Sequence, residues 1–270
     1  MSVIKHTFKR IIALISDTHI GSRYALWLPE YETEEGNVLK ANKGQCQIYE
    51  GWVDFCKKCD EMNVDTVIHL GDALHGTNRK EFGRNLMTSE LDIQMDVAEQ
   101  LLKMIVKDRQ FIIITGSGYH ESLDTKVHKN LAKALNGNFG GAMCNWHIKG
   151  TNRKMNMAHG VSGAVVYQTT VMDKESVQLL QAQALGKLVK FDIVARAHWH
   201  FAAHLHQRQQ HFIQVPCWMA WEPSKPYLGY YGRKQPDIGA YILLIDEEDR
   251  IHVWDYKYAT PHIADAIKYF

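Results

Sequence analysis

The chain has 270 residues, of which 46% are hydrophobic and 23% charged, and this composition excludes a disordered, collagen-like or coiled-coil protein. Its 31 basic and 30 acidic side chains give a formal net charge of +1, so no chain-wide field would hold it on DNA or on an anionic membrane. Every apolar run is far shorter than the roughly 20 residues of a membrane helix. Five cysteines are a sparse and odd number, which favours a reducing, cytoplasmic location over a disulfide framework.

The first half of the sequence alternates predicted strands with amphipathic helices. Short apolar runs predict strands at 11–16, 67–70 and 111–115, and apolar residues at every third or fourth position predict helices at 47–62, 91–105 and 127–134. Thr88 or Ser89 is the expected cap of the second helix. Cys56 and Cys59 lie on the apolar stripe of the first helix, which favours buried thiols over a zinc or redox site. Residues 21–44 are expected to form a loop.

The second half contains more strands than helices. Strands are predicted at 154–158, 192–197, 212–215, 240–245 and 251–256, and one helix at 177–188. The last two strands are expected to form a hairpin. This order indicates an α/β half joined to a more antiparallel half. Six prolines and the lack of a linker or internal repeat favour a single domain over residues 1–270.

Five of the predicted strands end just before residues that can bind metal ions. These residues are, in chain order, Asp17 with His19, Asp72, His120, His159, and His198 with His200. The carboxyl ends of strands form the ligand crevice of an open α/β sheet, so we expect these side chains to converge. Without His120, the set offers two carboxylates and four imidazoles, which are enough to hold two divalent ions. Such donors suit Mn, with Fe and Zn as alternatives.

The same residues make the sequence resemble the calcineurin-like metallophosphoesterases. The ordered motifs of that family are Asp-x-His, Gly-Asp, Gly-Asn-His-Asp/Glu, a His near a Gly, and Gly-His-x-His. The matching segments are Asp17-Thr-His19, Gly71-Asp72, Gly118-Tyr-His120-Glu121, His159-Gly160 and Ala197-His198-Trp-His200. The resemblance extends over about residues 10 to 200. It implies an α/β (α+β) fold, a four-layer αββα sandwich of two mixed sheets flanked by helices.

The resemblance also implies a role for each matching residue. Asp17, His19 and His200 would hold one metal ion, His159 and His198 would hold the other, and Asp72 would bind both. A hydroxide activated by the two metals would attack phosphorus. His120 would assist the leaving oxygen as the catalytic acid. The chain would then be a metal-dependent phosphoesterase, a hydrolase that acts on ester bonds.

One position departs from the family pattern. The family Asn, a ligand of the second metal, aligns with Tyr119, and a phenol with a pKa near ~10 is a poor ligand at neutral pH. If the loop is aligned on Gly116 instead, Ser117 takes the Asn position. Both alignments remain open at this point. Loss of the Asn could also mark a non-catalytic metal-binding scaffold.

The first two motifs also bear on the substrate. The strings Ser16-Asp-Thr-His-Ile-Gly21 and Gly71-Asp-Ala-Leu-His75 resemble the nuclease subunits of double-strand-break repair, and Pro236-Asp-Ile-Gly-Ala240 resembles phosphoesterases of phages and prophages. We expect a phosphodiesterase acting on nucleic acid or a nucleotide, with a phosphomonoesterase as the alternative. His75, Arg79 and Tyr119 are the expected substrate contacts.

Two further expectations concern partners. Aromatic and basic residues alternate between Trp218 and Lys234, which would suit base stacking and phosphate contacts, although packing of a loop on the second sheet is the favoured interpretation. A protein partner, such as an ATPase, or a homo-oligomer is compatible with the sequence.

Overall fold

The structure is a computed structural model that describes residues 7–77, 82–120, 126–160, 169–220 and 235–261. Thirteen strands and four helices lie in these ranges. In chain order they are β1 (Phe8–Ile15), β2 (Glu30–Glu32), β3 (Val38–Lys40), α1 (Lys43–Glu61), β4 (Thr66–His69), α2 (Leu91–Val106), β5 (Gln110–Ile113), α3 (Val127–Ala134), β6 (Asn138–Phe139), β7 (Met143–His147), β8 (Lys154–Ala158), α4 (Thr170–Ala184), β9 (Ile193–Arg196), β10 (Ala203–Gln207), β11 (Gln210–Gln214), β12 (Ile238–Asp246) and β13 (Ile251–Tyr258).

The strands form two mixed sheets and one short hairpin. The first sheet has the order β13-β12-β1-β4-β5-β6, in which β1, β4, β5 and β6 are parallel and β12 is antiparallel to β1. The second has the order β10-β11-β9-β8-β7, with β8, β9 and β11 parallel and an antiparallel strand at each edge. Since side chains alternate between the faces of a strand, each sheet can present an apolar surface on both sides.

Three apolar layers hold the sheets and helices together. Even-numbered residues of β1, such as Ile12 and Leu14, pack with Met155 and Met157 of β8 between the two sheets. The odd-numbered Ala13 and Ile15 face the opposite side and pack with α1, α2 and α3. On the outer face of the second sheet, α4 packs against β9 and β11 through a smaller cluster that includes Met172, Val194 and Phe212. The predicted four-layer αββα sandwich is therefore confirmed.

Several predicted elements have different bounds in the structure. The strand at 154–158 and the helix at 127–134 are confirmed as predicted. The first helix begins at Lys43, and the expected loop at 21–44 contains the β2-β3 hairpin. The helix predicted at 177–188 spans 170–184, because the apolar Leu185 and Leu188 are exposed beyond its end. The strands β6, β7 and β10 were not predicted.

Details of the helices also differ from expectation. Neither Thr88 nor Ser89 caps α2; the N-cap residue is Glu90, and its backbone N–H donates to Thr88 Oγ1. The prediction for the cysteines is confirmed, since Cys56 and Cys59 are buried free thiols in α1. Within the described ranges, no helix is long and apolar enough to cross a membrane.

Candidate metal centre

The loops after β1 and β4 bring the first three candidate ligands together. β1 and β4 are parallel neighbours, so their carboxyl ends meet at one edge of the sheet. The backbone N–H of Asp17 donates to the Gly71 carbonyl at 3.0 Å, and that of His19 donates to the Asp72 carbonyl at 3.1 Å. The side chains of Asp17, His19 and Asp72 are all buried. Carboxylates in such a place need cationic or hydrogen-bonding partners.

The second sheet supplies the other three candidate ligands. His159 follows β8, and His198 and His200 follow β9. His159 Nδ1 donates to the Leu70 carbonyl at 2.7 Å, and the backbone N–H of His198 donates to Asp17 Oδ2 at 3.1 Å. These two hydrogen bonds join the sheets at the site. Because Nδ1 of His159 carries the proton, its Nε2 is left as a lone-pair donor.

Six of the predicted residues form two groups of three. Within each group, the potential ligand atoms lie within 4.8 Å of one another. One group is Asp17, His19 and His200, and the other is Asp72, His159 and His198. In the first, Asp17 Oδ1 lies 3.2 Å from His200 Nε2 and 3.5 Å from His19 Nε2. In the second, Asp72 Oδ2 lies 2.9 Å from His159 Nε2. Asp17 Oδ1 is also 3.7 Å from His159 Nε2, so this oxygen lies near nitrogens of both groups.

Five of these six residues have a left-handed backbone. Their φ values are +48° for Asp17, +41° for His19, +51° for Asp72, +80° for His198 and +56° for His200. Residues with a side chain rarely adopt this conformation, and each instance costs about 1–3 kcal/mol. A cluster of such residues at one place is typical of a site where side-chain direction matters more than local stability.

The loop after β5 contacts the second group through Ser117. The Ser117 backbone N–H donates to Asp72 Oδ1 at 2.7 Å, and its hydroxyl lies 3.0 Å from Oδ2. A Cβ atom on Gly116 would collide with Asp72 Oδ1, whereas one on Gly118 would meet no atom within 4 Å. Gly116 is thus the glycine that this site requires. The geometry favours the alignment that places Ser117, rather than Tyr119, at the position of the family Asn.

His120, the predicted catalytic acid, lies beside His19 and His75. Its ring centroid is 4.4 Å from that of His19 and 4.9 Å from that of His75, and these three imidazoles form a third group of potential ligands. His120 Nδ1 donates to the His75 carbonyl at 2.9 Å, so Nε2 of the neutral ring carries the lone pair. Tyr119 is 37% exposed and packs edge-on against His120. Arg79 lies outside the described residues.

The charges of the site keep the aspartates and His19 ready to bind metal but favour a proton on two other histidines. Burial raises the pKa of Asp17 and of Asp72, but His159 and the other imidazoles outweigh it and hold both below their usual range. Burial and then His120 lower the pKa of His19 to about 4. Burial alone would lower the pKa of His159, yet Asp17 and Asp72 raise it to about 9. Burial would likewise lower the pKa of His200, but contacts with Cys217 and Asp17 outweigh it and raise that pKa, so a metal ion competes with a proton at both histidines.

The donor atoms fit a divalent cation. Asp17 Oδ1 and His159 Nε2 are buried and form no hydrogen bond of good geometry with a described residue, although Asp72 Oδ2 lies 2.9 Å from His159 Nε2. Buried polar atoms of this kind cost free energy unless another group satisfies them. The donors are oxygen and imidazole nitrogen with no thiolate, a set that suits Mn, Fe or Zn. Two divalent ions would satisfy both atoms.

The role of His69 could not be predicted from a motif. His69, at the end of β4, bridges the loops: its Nδ1 accepts from the Gly71 N–H at 3.2 Å, and its Nε2 lies 3.1 Å from Thr18 Oγ1. Burial and then His128 lower the pKa of His69 to about 3, so the ring is neutral and links the two loops through its hydrogen bonds.

The expected stacking of a base on Trp218 does not fit its position. Trp218 is fully buried and packs edge-on against Trp52, with ring centroids 4.9 Å apart. Residues 221–234 lie outside the described residues.

Comparison with known proteins was made at the level of sequence and of fold. No protein-family model and no curated protein sequence matches this chain. A dimetal phosphatase from Danio rerio superposes with a TM-score of 0.51 at 11% identity, covering 94% of this chain and 100% of the other. A novel archaeal phosphodiesterase gives 0.48 at 14% identity, with coverages of 91% and 99%. YfcE, a phosphoesterase from E. coli, gives 0.43 at 11% identity, with coverages of 93% and 100%.

At these identities a structural match establishes the fold alone. The match to the dimetal phosphatase covers both sheets and the helices around them, since nearly the whole of each chain is aligned. The chain has the calcineurin-like metallophosphoesterase fold.

Proposed function

We propose that this protein is a metal-dependent phosphoesterase that hydrolyses phosphodiesters of the nucleic-acid or nucleotide type at two divalent cations. The observation that carries the proposal is the position of Asp17 Oδ1. This oxygen is buried and lies within 3.7 Å of nitrogens from both ligand groups. One carboxylate between two sets of imidazoles is an arrangement that two adjacent cations would stabilise.

Each cation has its own set of residues in this proposal. Asp17, His19 and His200 hold the first ion, and Asp72, His159 and His198 hold the second, with Mn as the expected metal. Asp72 is proposed to be shared as the family pattern implies, and the distances from Asp17 Oδ1 to imidazoles of both groups support the proposal that Asp17 is shared as well. When bound, the ions lower the pKa of a nucleophilic water and stabilise the charge that develops on the phosphate.

The surrounding residues of the chain orient the ligands and move the proton. Ser117 fixes the Asp72 carboxylate through two donors. His120 is held by the His75 carbonyl through Nδ1, so Nε2 of the neutral ring carries the lone pair. Burial lowers the pKa of His120, so once protonated beside an anionic substrate this imidazole gives up its proton readily to the leaving oxygen. His75, Arg79 and Tyr119 are proposed to contact the substrate.

The diester is proposed because the first two motifs, Ser16-Asp-Thr-His-Ile-Gly21 and Gly71-Asp-Ala-Leu-His75, resemble those of nuclease subunits that cleave phosphodiesters. Two divalent cations and two aspartates would sum to +2, a charge that attracts the phosphate of a diester or of a monoester. The monoester is therefore kept as the alternative substrate class.

The proposal is tested by comparing two esters of p-nitrophenol. The protein is assayed with bis-p-nitrophenyl phosphate and with p-nitrophenyl phosphate, in the presence of Mn²⁺, Zn²⁺ or Fe²⁺ and with a chelator, beside the Asp72→Asn variant. We expect metal-dependent cleavage that favours the diester and is lost in the variant. A preference for the monoester would overturn the diester assignment. Tight binding of two ions without turnover of either ester would show a scaffold and not an enzyme.

A further inference from the structure

A pocket of about 830 Å³ adjoins the second ligand group. Ser117, His159 and His198 form the end nearest the centre, and α4 closes the opposite side. This volume lies within the roughly 300–1,000 Å³ range of small-molecule sites. It is far larger than a phosphate group requires, so it has room for an organic substituent of a phosphate ester.

The side walls of the pocket are apolar and include an aromatic ring. Met143, Val171 and Trp199 line it, and Met143 is 61% exposed. Trp199 is half-buried and stacks on Phe201, with ring centroids 6.4 Å apart and an interplanar angle of 28°. Phe201 is itself buried, so its packing restricts the movement of the Trp199 indole. A braced aromatic ring is a suitable platform for stacking a nucleobase, since little side-chain entropy is lost on binding.

The pocket also has one uncommitted positive charge. Arg196 lines it but is buried and neutralised, since it contacts Glu175 and donates to Asn156 Oδ1 at 2.6 Å. Lys174, on the exposed side of α4, forms no ion pair with any described residue. Among the cations that line the pocket, Lys174 is therefore the one available to a ligand anion.

We infer that this pocket binds a nucleoside substituent of the phosphodiester, with its base against Trp199 and a further phosphate near Lys174. The inference rests on the proposed function and names its substrate class. The reacting phosphate would lie at the metal centre, and the pocket would recognise what is attached to it. Neither Trp199 nor Lys174 needs to take part in bond cleavage for this preference to arise.

The test uses three esters that share one leaving group, p-nitrophenol. They are methyl p-nitrophenyl phosphate, thymidine 5′-(p-nitrophenyl phosphate), and the same thymidine ester with a 3′-phosphate. The wild-type protein is expected to cleave the thymidine ester with a kcat/KM about 10- to 100-fold above that of the methyl ester, the range that stacking of one base supplies. Equal kcat/KM values for these two esters would overturn the inference.

Two variants separate the parts of the pocket. Trp199→Ala is expected to lower the ratio of kcat/KM for the thymidine ester to kcat/KM for the methyl ester to about one, mainly through KM, and circular dichroism checks that the variant is folded. Lys174→Gln is expected to raise KM about 3- to 10-fold for the 3′-phosphate ester alone, an effect that weakens with added salt. Trp254→Ala, on the half-exposed Trp254 of β13, and Lys57→Gln, on the exposed face of α1, are matched controls. Equal losses on all three esters would contradict the inference.

A binding measurement separates failure of this inference from failure of the proposed function. If the wild-type protein hydrolyses none of the esters, the proposed function is wrong, and thymidine 3′,5′-bisphosphate is titrated calorimetrically into the Mn²⁺-loaded protein. Weaker binding by Trp199→Ala than by Trp254→Ala would support a nucleoside pocket. Equal binding by the two variants, or none by the wild type, would overturn it.

Discussion

Ser117 and Asp72, which are 45 residues apart in sequence, form a hydrogen-bonded pair in which one residue donates twice to the carboxylate of the other. Removal of the hydroxyl in Ser117→Ala leaves the backbone donor and removes the one at 3.0 Å from Oδ2. Residues that orient a ligand in this way change metal affinity about 10- to 100-fold. We expect the second ion to bind more weakly by that factor, as measured by titration with Mn²⁺.

Two variants make this prediction specific. Ser89→Ala changes an exposed serine that belongs to neither ligand group and should leave both dissociation constants unchanged. Tyr119→Asn should not strengthen metal binding, because Ser117 holds the position next to Asp72. A gain in second-ion affinity in Tyr119→Asn would instead support the alignment that places Tyr119 there.

Gly116 and Gly118 provide a matched pair for the same loop. Gly116→Ala places a methyl group against the Asp72 carboxylate, whereas Gly118→Ala places one in open space. We expect Gly116→Ala to lower the free energy of unfolding by about 1–3 kcal/mol, the usual cost of overpacking, and to weaken the second metal site. Chemical denaturation and metal titration measure the two effects. Similar stability and similar metal affinity of the two variants would show that the loop accommodates the methyl group of Gly116→Ala without loss.

Asp72→Asn tests the sharing of ligands between the ions. The substitution keeps the shape of the side chain but removes its charge from a buried position, so the second ion loses its only carboxylate in the group of Asp72, His159 and His198. We expect metal content after dialysis to fall from two ions to one or fewer per chain. Asp255→Asn, on the exposed Asp255 of β13, is the control. Retention of two ions with unchanged affinity would refute the assignment.

His120→Asn tests the acid. Because His120 belongs to neither of the two groups assigned to the ions, we expect both ions to remain bound. General acid catalysis contributes about 10²- to 10⁴-fold, and most of this is needed when the leaving alcohol is poor. Turnover should therefore fall most for alkyl esters and least for p-nitrophenyl esters. An equal fall for both classes would argue against proton delivery by this residue.

The pKa of His159 predicts how metal binding depends on pH. Burial lowers this pKa, but Asp17 and Asp72 raise it from its ordinary value to about 9, so the metal-free protein holds a proton here at pH 7. Metal ligation requires the neutral ring, and binding must release that proton. Affinity should thus rise as the pH increases from 7 to about 9. Although burial opposes it, Cys217 and Asp17 also raise the pKa of His200, so His200 should lose a proton on ligation as well. Calorimetry in buffers of different ionisation enthalpy should therefore detect proton release at pH 7, and binding without any proton release would contradict the prediction.

The sequence was sufficient to predict which six side chains converge at the proposed metal centre, because they lie in loops just after apolar strands. It could not decide between Ser117 and Tyr119, since two glycines precede them and either can begin the motif. Only the packing of Gly116 against Asp72 separates the alternatives. The pocket beside the centre could not be predicted either, because Met143, Lys174 and Trp199 come from distant segments that share no motif.

The strands that were not predicted share one property, which is that each lies at the edge of a sheet. β7 and β10 border the second sheet and β6 borders the first. Edge strands face solvent and carry polar residues, and β10 alternates half-buried residues with exposed histidines. They therefore lack the apolar run that predicts a strand. The early start of α1 has a different cause, a capping box between Asn42 and Gln45.

The six proposed ligands are divided equally between the two sheets, three from each. Ions held there would cross-link two sheets that otherwise contact each other mainly through apolar side chains. The distance between the two ligand groups depends on how closely the sheets pack, and protein interiors respond to changes of a single methylene. Residues such as Leu14 and Met157, which belong to neither ligand group, would thereby adjust the spacing of the ions. Substitutions that change side-chain volume in this layer would therefore alter the reactivity of the proposed metal centre without changing a ligand.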